Sequence, residues 1–232
     1  LTVPYENGKP GTVAVLIREN GTREVIRKSA ANGDEPVVTI PLKGSAALEI
    51  IDNGKTFEDV PAQNWAADAV TFVSGHELFT GTGANTFSPD ASMTRGMLAK
   101  VLHNLENNPD HAFSSKFDDV GNGQWFSEAV SWAAEKGIVS GYSNGSFGAD
   151  DSISREQLAV MLYRYAGSPA ASAGELNFSD ADKIDGYAMN AMRWAVENGI
   201  ISGKGNSILD PKGQATRAQV AAMLMRYLKA QK

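Results

Sequence analysis

Apolar residues recur at helical spacing in three similar stretches of the chain. After Ser154, the residues Leu158, Met161, Leu162 and Tyr165 fall on one face of a helix. The same stripe occurs at Leu98, Val101, Leu102 and Leu105, and again at Val220, Met223, Leu224 and Tyr227. Because a helix of about three turns cannot bury such a stripe alone, the pattern predicts that the three helices pack against one another.

A shorter apolar pattern precedes each of these helices. In the middle stretch it predicts a helix from about Ser127 to Lys136, ended by Gly137, a residue typical of a left-handed helix stop. The unit repeats with a regular period, since Arg95, Arg155 and Arg217 are 60 and 62 residues apart. We therefore predict repeats at residues 56–110, 111–172 and 173–232, after a separate segment at residues 1–55.

The N-terminal segment has the patterns of strands instead. Thr12–Arg18 and Thr22–Lys28 flank Asn20-Gly21, a dipeptide that supplies the two positive-φ residues of a tight hairpin turn. Pro36–Leu42 and Ala46–Ile51 predict a second pair of strands. We expect a four- or five-strand antiparallel meander, which needs to lean on the repeats because its own core is small.

The expected fold is mainly α. The three repeats are predicted to form a pseudo-threefold helical unit with a central three-helix bundle of second helices, preceded by the small antiparallel β segment. A linear solenoid is the alternative, although three copies leave little room for capping repeats.

Composition narrows the range of partners. The chain has 232 residues, a net charge of −6 and a pI of about 5.1, so no basic stripe is available for nucleic acid. It has no cysteine and therefore no disulfide framework or thiolate metal site. No apolar run approaches the roughly 18 residues of a membrane span. Because it starts at Leu1 without a signal peptide, we expect it to be a fragment of a larger protein.

A set of short motifs recurs in order within each repeat. The middle copy reads F-D-D-V, then Trp125, then G-Y-S-N-G-S-F, then S-R-E-Q. In order, spacing and copy number, the chain closely resembles the S-layer homology domain from about Phe57 to Tyr227. The resemblance implies a three-pronged helical unit that anchors an exported protein without covalent bonds to a secondary cell wall polymer. The implied ligand is commonly a pyruvylated N-acetylmannosamine residue, bound in grooves between neighbouring repeats.

The resemblance also implies a location and partners. The protein would be extracellular, at the cell wall or S-layer of a Gram-positive bacterium. Its main partner would be the cell wall polysaccharide, with neighbouring surface-layer subunits as a further candidate.

An arginine directly follows the hydroxyl residue that caps each second helix. A cation at this end of a helix is disfavoured by roughly 0.3–1 kcal/mol, so its occurrence in three equivalent positions predicts a compensating anion. A guanidinium presents a fork that fits a carboxylate, and the resemblance implies that this arginine meets the acidic ketal. The candidates are Arg95, Arg155 and Arg217. The alternative is an internal ion pair with the aspartate of the F-x-D motif, Asp59, Asp119 or Asp180.

Three further sets of residues complete the predicted ligand site, and each has a structural alternative. The aspartates either contribute to the site or tie a loop. Trp65 and Trp125, with Tyr187 at the equivalent position of the third copy, either present a flat face to a sugar ring or lie in the core. The glycines after each first helix either let a ligand approach the backbone or only allow a turn, while the hydroxyls before them would serve the sugar. These pairs are Thr80 with Gly81, Ser140 with Gly141, and Ser202 with Gly203.

The 232-residue sequence contains no catalytic motif. Its histidines, His76, His103 and His111, show no metal-ligand spacing, and neither a nucleophile elbow nor a phosphate loop is present. We predict no catalytic residue, no metal and no cofactor here, so any enzyme activity would belong to an upstream part of the protein. The alternative function is a protein-binding or self-assembling surface module.

Overall fold

Each repeat forms two helices, as the apolar patterns predict. The first helices are α1 (Ala67–Gly75), α3 (Ser127–Glu135) and α5 (Met189–Glu197), and the second helices are α2 (Arg95–Leu105), α4 (Arg155–Tyr165) and α6 (Arg217–Ala230). A 3₁₀ turn, Ala181–Lys183, precedes α5. The structure, a computed structural model, describes residues 1–6, 8–31, 37–41, 47–171 and 174–231. Leu98, Leu158 and Val220 are fully buried, so the stripes are core residues.

The helix boundaries follow local chemistry. The Ser154 hydroxyl accepts from the Gln157 backbone N–H at 3.3 Å, and the Gln157 side chain accepts from the Ser154 N–H at 3.1 Å. This reciprocal capping box fixes the start of α4 at Ser154, the hydroxyl residue predicted to cap it. The first helix of the middle repeat ends one residue earlier than predicted, and Gly137 follows it with a φ of +70°.

The described residues of the N-terminal segment form two three-stranded antiparallel sheets. The strands are β1 (Thr2–Pro4), β2 (Thr12–Ile17), β3 (Arg23–Ile26), β4 (Ala30–Ala31), β5 (Val37–Thr39) and β6 (Ala47–Asp52). One sheet has the order β1-β5-β4 and the other has the order β3-β2-β6. Ala14, Val38 and Ile40 are fully buried where residues of both sheets pack together.

The predicted meander is wrong in its pairing. The β2–β3 hairpin is present, but β5 pairs with β1 and β4, and β6 pairs with β2 over six residues from Thr12 opposite Asp52 to Ile17 opposite Ala47. Because β6 pairs with β2 along its whole length, this pairing satisfies more backbone N–H and C=O groups than the predicted local hairpin between β5 and β6 would. Residues 43–45, which connect the second predicted pair of strands, lie outside the described residues. In the β2–β3 turn only Gly21 has a positive φ, +80°, and Asn20 does not.

The prediction of a mainly α fold with a small β segment is also wrong. The described residues are 30% helical and 15% strand and include two sheets beside six α-helices, which makes the protein mixed α/β. The helical share is low because clearly more than half of each repeat lies outside its helices. Within each unit, the main partner of a second helix is a first helix: α2 packs on α3 and α4 on α5 in one unit, and α6 packs on α1 in the other.

The chain divides into two compact units, Leu1–Asp90 with Arg217–Lys232, and Ala91–Thr216. The second unit contains a closed ring of backbone hydrogen bonds between equivalent residues of the repeats. Met93 N–H donates to Ala215 O, Ala215 N–H to Ile153 O, and Ile153 N–H to Met93 O, each at 2.9 Å. In that unit, this ring fixes the residues that lead into the helix caps. In the first unit, α1 and α6 pack together and also contact the sheets.

Candidate functional site

The arginine at the start of each second helix is buried and held by a loop of another repeat. Arg95 Nε donates to Phe147 O and its Nη2 donates to Ser140 O, both at 2.9 Å. The equivalent bonds run from Arg155 to Leu209 O and Ser202 O, and from Arg217 to Phe87 O and Thr80 O, at 2.8–2.9 Å. The three residues are 2–8% exposed. Each arginine therefore has a structural task inside the protein, whatever else it binds.

Aromatic rings enclose two of these guanidinium groups. Arg95 lies 4.8 Å from the ring centre of Tyr142 and 4.7 Å from that of Phe147. Arg217 lies over Phe79 at 5.3 Å and Phe87 at 4.6 Å. Burial lowers the pKa of both arginines from its ordinary value, but guanidinium groups keep their charge in proteins. The cation–π contacts compensate part of the lost hydration.

The aspartate of each F-x-D motif ties the same loop from the other side. Asp119 accepts from the N–H groups of Phe147 at 2.6 Å and Gly148 at 2.7 Å. Asp59 accepts from Phe87 and Ser88, and Asp180 from Leu209 and Asp210, at 2.7–2.8 Å. Phe147 thus donates to Asp119 and accepts from Arg95. The side chains of Asp119 and Arg95 therefore bind the same loop residue. The described residues show no direct ion pair between these two side chains.

These hydrogen bonds keep the aspartates ionised. Burial raises the pKa of Asp119, but the Phe147 and Gly148 N–H groups outweigh it and hold the pKa below its ordinary value. The pKa of Asp180 is lowered chiefly by the Leu209 N–H. The carboxylates consequently remain charged acceptors at neutral pH, and the loops they tie keep their shape.

Close packing inside each loop explains the glycine that follows the first helix. A Cβ atom on Gly141 would lie 2.5 Å from Ser146 O and 2.8 Å from the Phe117 ring. The same atom would lie 2.7 Å from Thr86 O at Gly81, and 2.8 Å from the Phe178 ring at Gly203. None of the three glycines has a positive φ. A side chain is therefore excluded by a loop carbonyl and by the phenylalanine of the F-x-D motif, not by the backbone conformation of the glycine.

The aromatic residues before each first helix are on the surface. Trp65, Trp125 and Tyr187 are 65%, 55% and 56% exposed. The alternative that they lie in the core is therefore wrong, whereas Trp132 and Trp194 within the helices are buried. An exposed indole or phenol ring is a flat apolar surface with a polar edge, which suits the face of a sugar ring.

Several of these residues meet at one cavity in the second unit. The cavity has a volume of about 270 Å³ and combines the start of α2, the loop after α3, one face of α4 and the residues before α5. Its lining consists of Arg95, Val139, Ser140, Gly141, Tyr142, Gln157, Val160, Met161, Arg164 and Tyr187. Of the predicted site residues it includes Arg95, Ser140 and Gly141. It also places Tyr187, the third-copy counterpart of Trp65 and Trp125, beside them.

Sequence reasoning missed the contribution of α4. Gln157, Met161 and Arg164 all line the cavity, whereas the apolar pattern predicts only that Met161 belongs to a buried stripe. One signal was available, because Arg226 occupies the position of Arg164 in the third copy. The first copy has Asn104 there.

A buried carboxylate holds Tyr187 at the cavity. Glu156 is 2% exposed and accepts from Lys212 Nζ at 2.5 Å, from Asp185 N–H at 3.1 Å and from the Tyr187 hydroxyl at 3.4 Å. Burial, followed by the charge of Glu156, raises the pKa of Tyr187 to about 12. Tyr187 is therefore a neutral phenol whose hydroxyl is directed to Glu156.

Other kinds of site receive no support from the described parts of the chain. They contain no cluster of three histidine, cysteine or acidic side chains that could hold a metal ion. None of their helices combines the length and apolar character that crossing a bilayer requires.

Comparison with known proteins gives a consistent result. The family model of the S-layer homology domain matches residues 56–96, 116–159 and 177–221. An amylopullulanase of Thermoanaerobacterium thermosulfurigenes is 30% identical over 75% of this chain and 10% of its own length. The exoglucanase XynX of Acetivibrio thermocellus is 30% identical over 77% of this chain and 17% of its own length. The S-layer protein sap of Bacillus anthracis is 28% identical over 75% of this chain and 21% of its own length.

The matched segment spans only about a tenth to a fifth of these relatives, which are enzymes in two cases and an S-layer protein in the third. What they share with this chain is the repeated segment, so the prediction of a binding module rather than an enzyme is confirmed. The three matches lie in the three repeats and together cover more than half of the sequence. The chain therefore belongs to the S-layer homology domain family, and its repeats form a cell-wall anchoring module of a cell-surface protein.

Proposed function

We propose that this module binds an acidic secondary polymer of the cell wall, through a pyruvylated amino sugar, in grooves between its repeats. The observation that carries the proposal is the cavity in the second unit. Two arginines and no carboxylate line it among the described residues, although the whole chain has a net charge of −6. A concave site of one charge attracts ligands of the opposite charge.

Arg95 is suited to bind an acid without moving. Its Nε and Nη2 atoms donate to two loop carbonyls, and two rings fix the plane of the guanidinium. The described residues provide no acceptor for Nη1, so the Nη edge remains for a carboxylate. A donor oriented in advance loses little conformational freedom on binding. Arg155 and Arg217 have the same two backbone bonds, and we extend the proposal to them.

The roles that we propose for the aromatic residues, hydroxyls, glycines and aspartates follow from their positions in the repeats. The exposed ring of Tyr187 would pack on the sugar, as would Trp65 and Trp125 in equivalent positions. Ser140 and the Gly141 backbone would serve sugar hydroxyls, as would Thr80, Gly81, Ser202 and Gly203 in the other repeats. Asp59, Asp119 and Asp180 act as positioning residues, because they hold the loops that present these groups.

Two measurements test the proposal. The purified protein should be retained by isolated cell wall and released when the non-peptidoglycan polymer is removed from it. It should also bind soluble pyruvylated N-acetylmannosamine, and bind the methyl ester of the same sugar much more weakly. Unchanged retention on the stripped wall, or self-association without any wall, would favour a protein-binding or self-assembling module instead.

Tyr187 offers a sharper test within the cavity. Tyr187→Ala should weaken sugar binding at this cavity roughly three- to tenfold, because it removes about 0.5–1.5 kcal/mol of ring contact. Tyr187→Phe is the matched control, since it keeps the ring and loses only the bond to Glu156. Equal affinity of both variants and the parent would exclude ring packing by this residue.

A further inference from the structure

Arg164 lies on α4 and lines the same cavity as Arg95. Its Nη1 atom donates to the Ser140 hydroxyl at 3.2 Å, while the Ser140 carbonyl accepts from Arg95 Nη2 at 2.9 Å. One serine residue therefore contacts both guanidinium groups. This places the two cations on the same wall of the cavity.

The two arginines differ in what balances their charge. The guanidinium of Arg95 is influenced by the carboxylates of Asp151 and Asp119 and is packed between two rings. Arg164 is half-buried, and within the described parts of the chain it forms no ion pair and has only the Ser140 hydroxyl as a hydrogen-bond acceptor. A cation beside a cavity without a counter-ion is a natural contact for an anionic ligand.

The free edges of the two groups also differ. Arg95 uses its Nε edge for the loop carbonyls, so a ligand can reach only its Nη edge. Arg164 uses Nη1 for Ser140, which leaves its Nε and the adjacent Nη2 N–H side by side. That side is the fork that binds both oxygens of a carboxylate.

We infer that Arg164 is a ligand-binding residue that grips the carboxylate of an acidic sugar with two N–H groups, while Arg95 contacts the same carboxylate from its fixed position. This inference rests on the proposed function and assigns the stronger acid contact to a residue outside the repeated helix-start motif. It also makes the repeats unequal, because the first copy has Asn104 at the position of Arg164.

The test uses the whole chain labelled with ¹⁵N and soluble pyruvylated N-acetylmannosamine, with the methyl ester of the sugar as the neutral probe. The amide signals of Ser140 and Gly141 report on this cavity even when other sites bind the sugar. Arg164→Asn, which introduces the residue of the first copy, should weaken binding of the acid at these signals about tenfold and leave the ester unchanged. It should also reduce the salt dependence of acid binding. Arg164→Lys should restore part of the loss, because an ammonium keeps the charge without the fork.

Arg23→Ala is the matched control, since it removes one exposed arginine from the β segment that does not line the cavity. It should bind the acid like the parent. If Arg164→Asn binds the acid like the parent, or weakens acid and ester equally, the inference is wrong and the proposed function stands. If the parent itself does not bind the acidic sugar, both the inference and the proposed function fail.

Discussion

The first helices of the first and second repeats, α1 and α3, occupy equivalent positions but have different surroundings. Gly75 is buried at the end of α1, and His76 directly after it is fully buried. Their counterparts sixty residues later, Glu135 and Lys136, are exposed to solvent. The same repeat unit has therefore acquired small and neutral residues in one copy and charged residues in another.

The β segment accounts for the difference. The two ring nitrogens of His76 lie 2.7 Å from Phe72 O and from Ser29 O, and Ser29 belongs to the β segment. Asn53 Nδ2 donates to Gly75 O at 2.6 Å. The backbone of the β segment thus lies directly on the end of α1 and needs a surface without bulk or charge there.

The three copies share the contacts that form each helix and differ where one copy meets another part of the chain. Equivalence between copies predicts a helix and its buried stripe, since these depend on contacts that every copy makes. A copy that departs from the others on its outer face indicates a contact that only this copy makes. The third copy supports the distinction, because Glu197 and Asn198 at the same positions are exposed, like those of the second copy.

The largest expected effect comes from replacing Gly75 of α1 with glutamate, the residue at the equivalent position of α3, Glu135. A Cβ on Gly75 would lie 3.0 Å from Gly11 O and 3.1 Å from Gly11 Cα, and a carboxylate beyond it would be buried. Gly75→Glu should therefore lower the free energy of unfolding by about 3 kcal/mol or more, measured in urea. The reciprocal Glu135→Gly should cost only about 1 kcal/mol, from helix propensity. Equal losses would show that the β segment does not pack on α1 in solution.

The features that sequence predicted well are those that depend on neighbouring residues. The caps of α2 and α4, the glycine stop after α3 and the buried stripes follow from local spacing. The pairing of β5 and β6 was predicted wrongly because a local hairpin was assumed, whereas β6 pairs with the distant β2. Pairing between distant strands leaves little trace in the sequence of either strand.

The sequence predicted the recurring side chains of the candidate site but not their partners. The arginines and aspartates were identified by their threefold recurrence, but their partners are backbone groups, which have no side-chain signature in the sequence. Arg164 was missed because a charged residue on a helix usually faces solvent. Which side chains converge on the cavity depends on how α4 meets a loop of the same repeat and residues of the next, and this is a property of the fold.

The residues that directly follow α1 and α3 also differ, since His76 follows α1 and Lys136 follows α3, and His76 titrates in an accessible pH range. Burial is the largest effect on His76 and lowers its pKa to about 4, the Phe72 and Ser29 carbonyls oppose this change, and the charge of Lys229 adds to it. An unfolded histidine has a pKa near 6.5, so the stability from neutral His76 is present above that pH and is lost as the pH falls towards 4. Between pH 7 and pH 5 we expect a loss of about 2 kcal/mol in the free energy of unfolding, measured in urea.

A variant isolates this contribution from the other titrating groups. Burial also lowers the pKa of His103, so its titration changes the stability in the same pH range. The aspartates whose pKa is lowered titrate only below about pH 4. His76→Asn introduces the residue of the third copy, where Asn198 Nδ2 donates to Trp194 O at 2.9 Å in the equivalent place. This variant should lose clearly less stability than the parent between pH 7 and pH 5. A parallel loss in both proteins would mean that His76 does not titrate in this range.

The smallest expected effect concerns the residue that ends each helix. Gly137 has a φ of +70°, and its counterpart after α1 is Glu77, with a φ of +55°. A side chain at a left-handed position costs roughly 1 kcal/mol relative to glycine, so Gly137→Ala should destabilise by about that amount. Glu77→Gly should gain somewhat less, about 0.5 kcal/mol, because it also removes the surface ion pair between Glu77 and Arg27 at 3.3 Å. Urea unfolding of the two variants should therefore shift in opposite directions. If Glu77→Gly destabilises the protein instead, the contact of Glu77 with the β segment outweighs the strain of its backbone, and the two helix ends differ in their partners more than in their conformation.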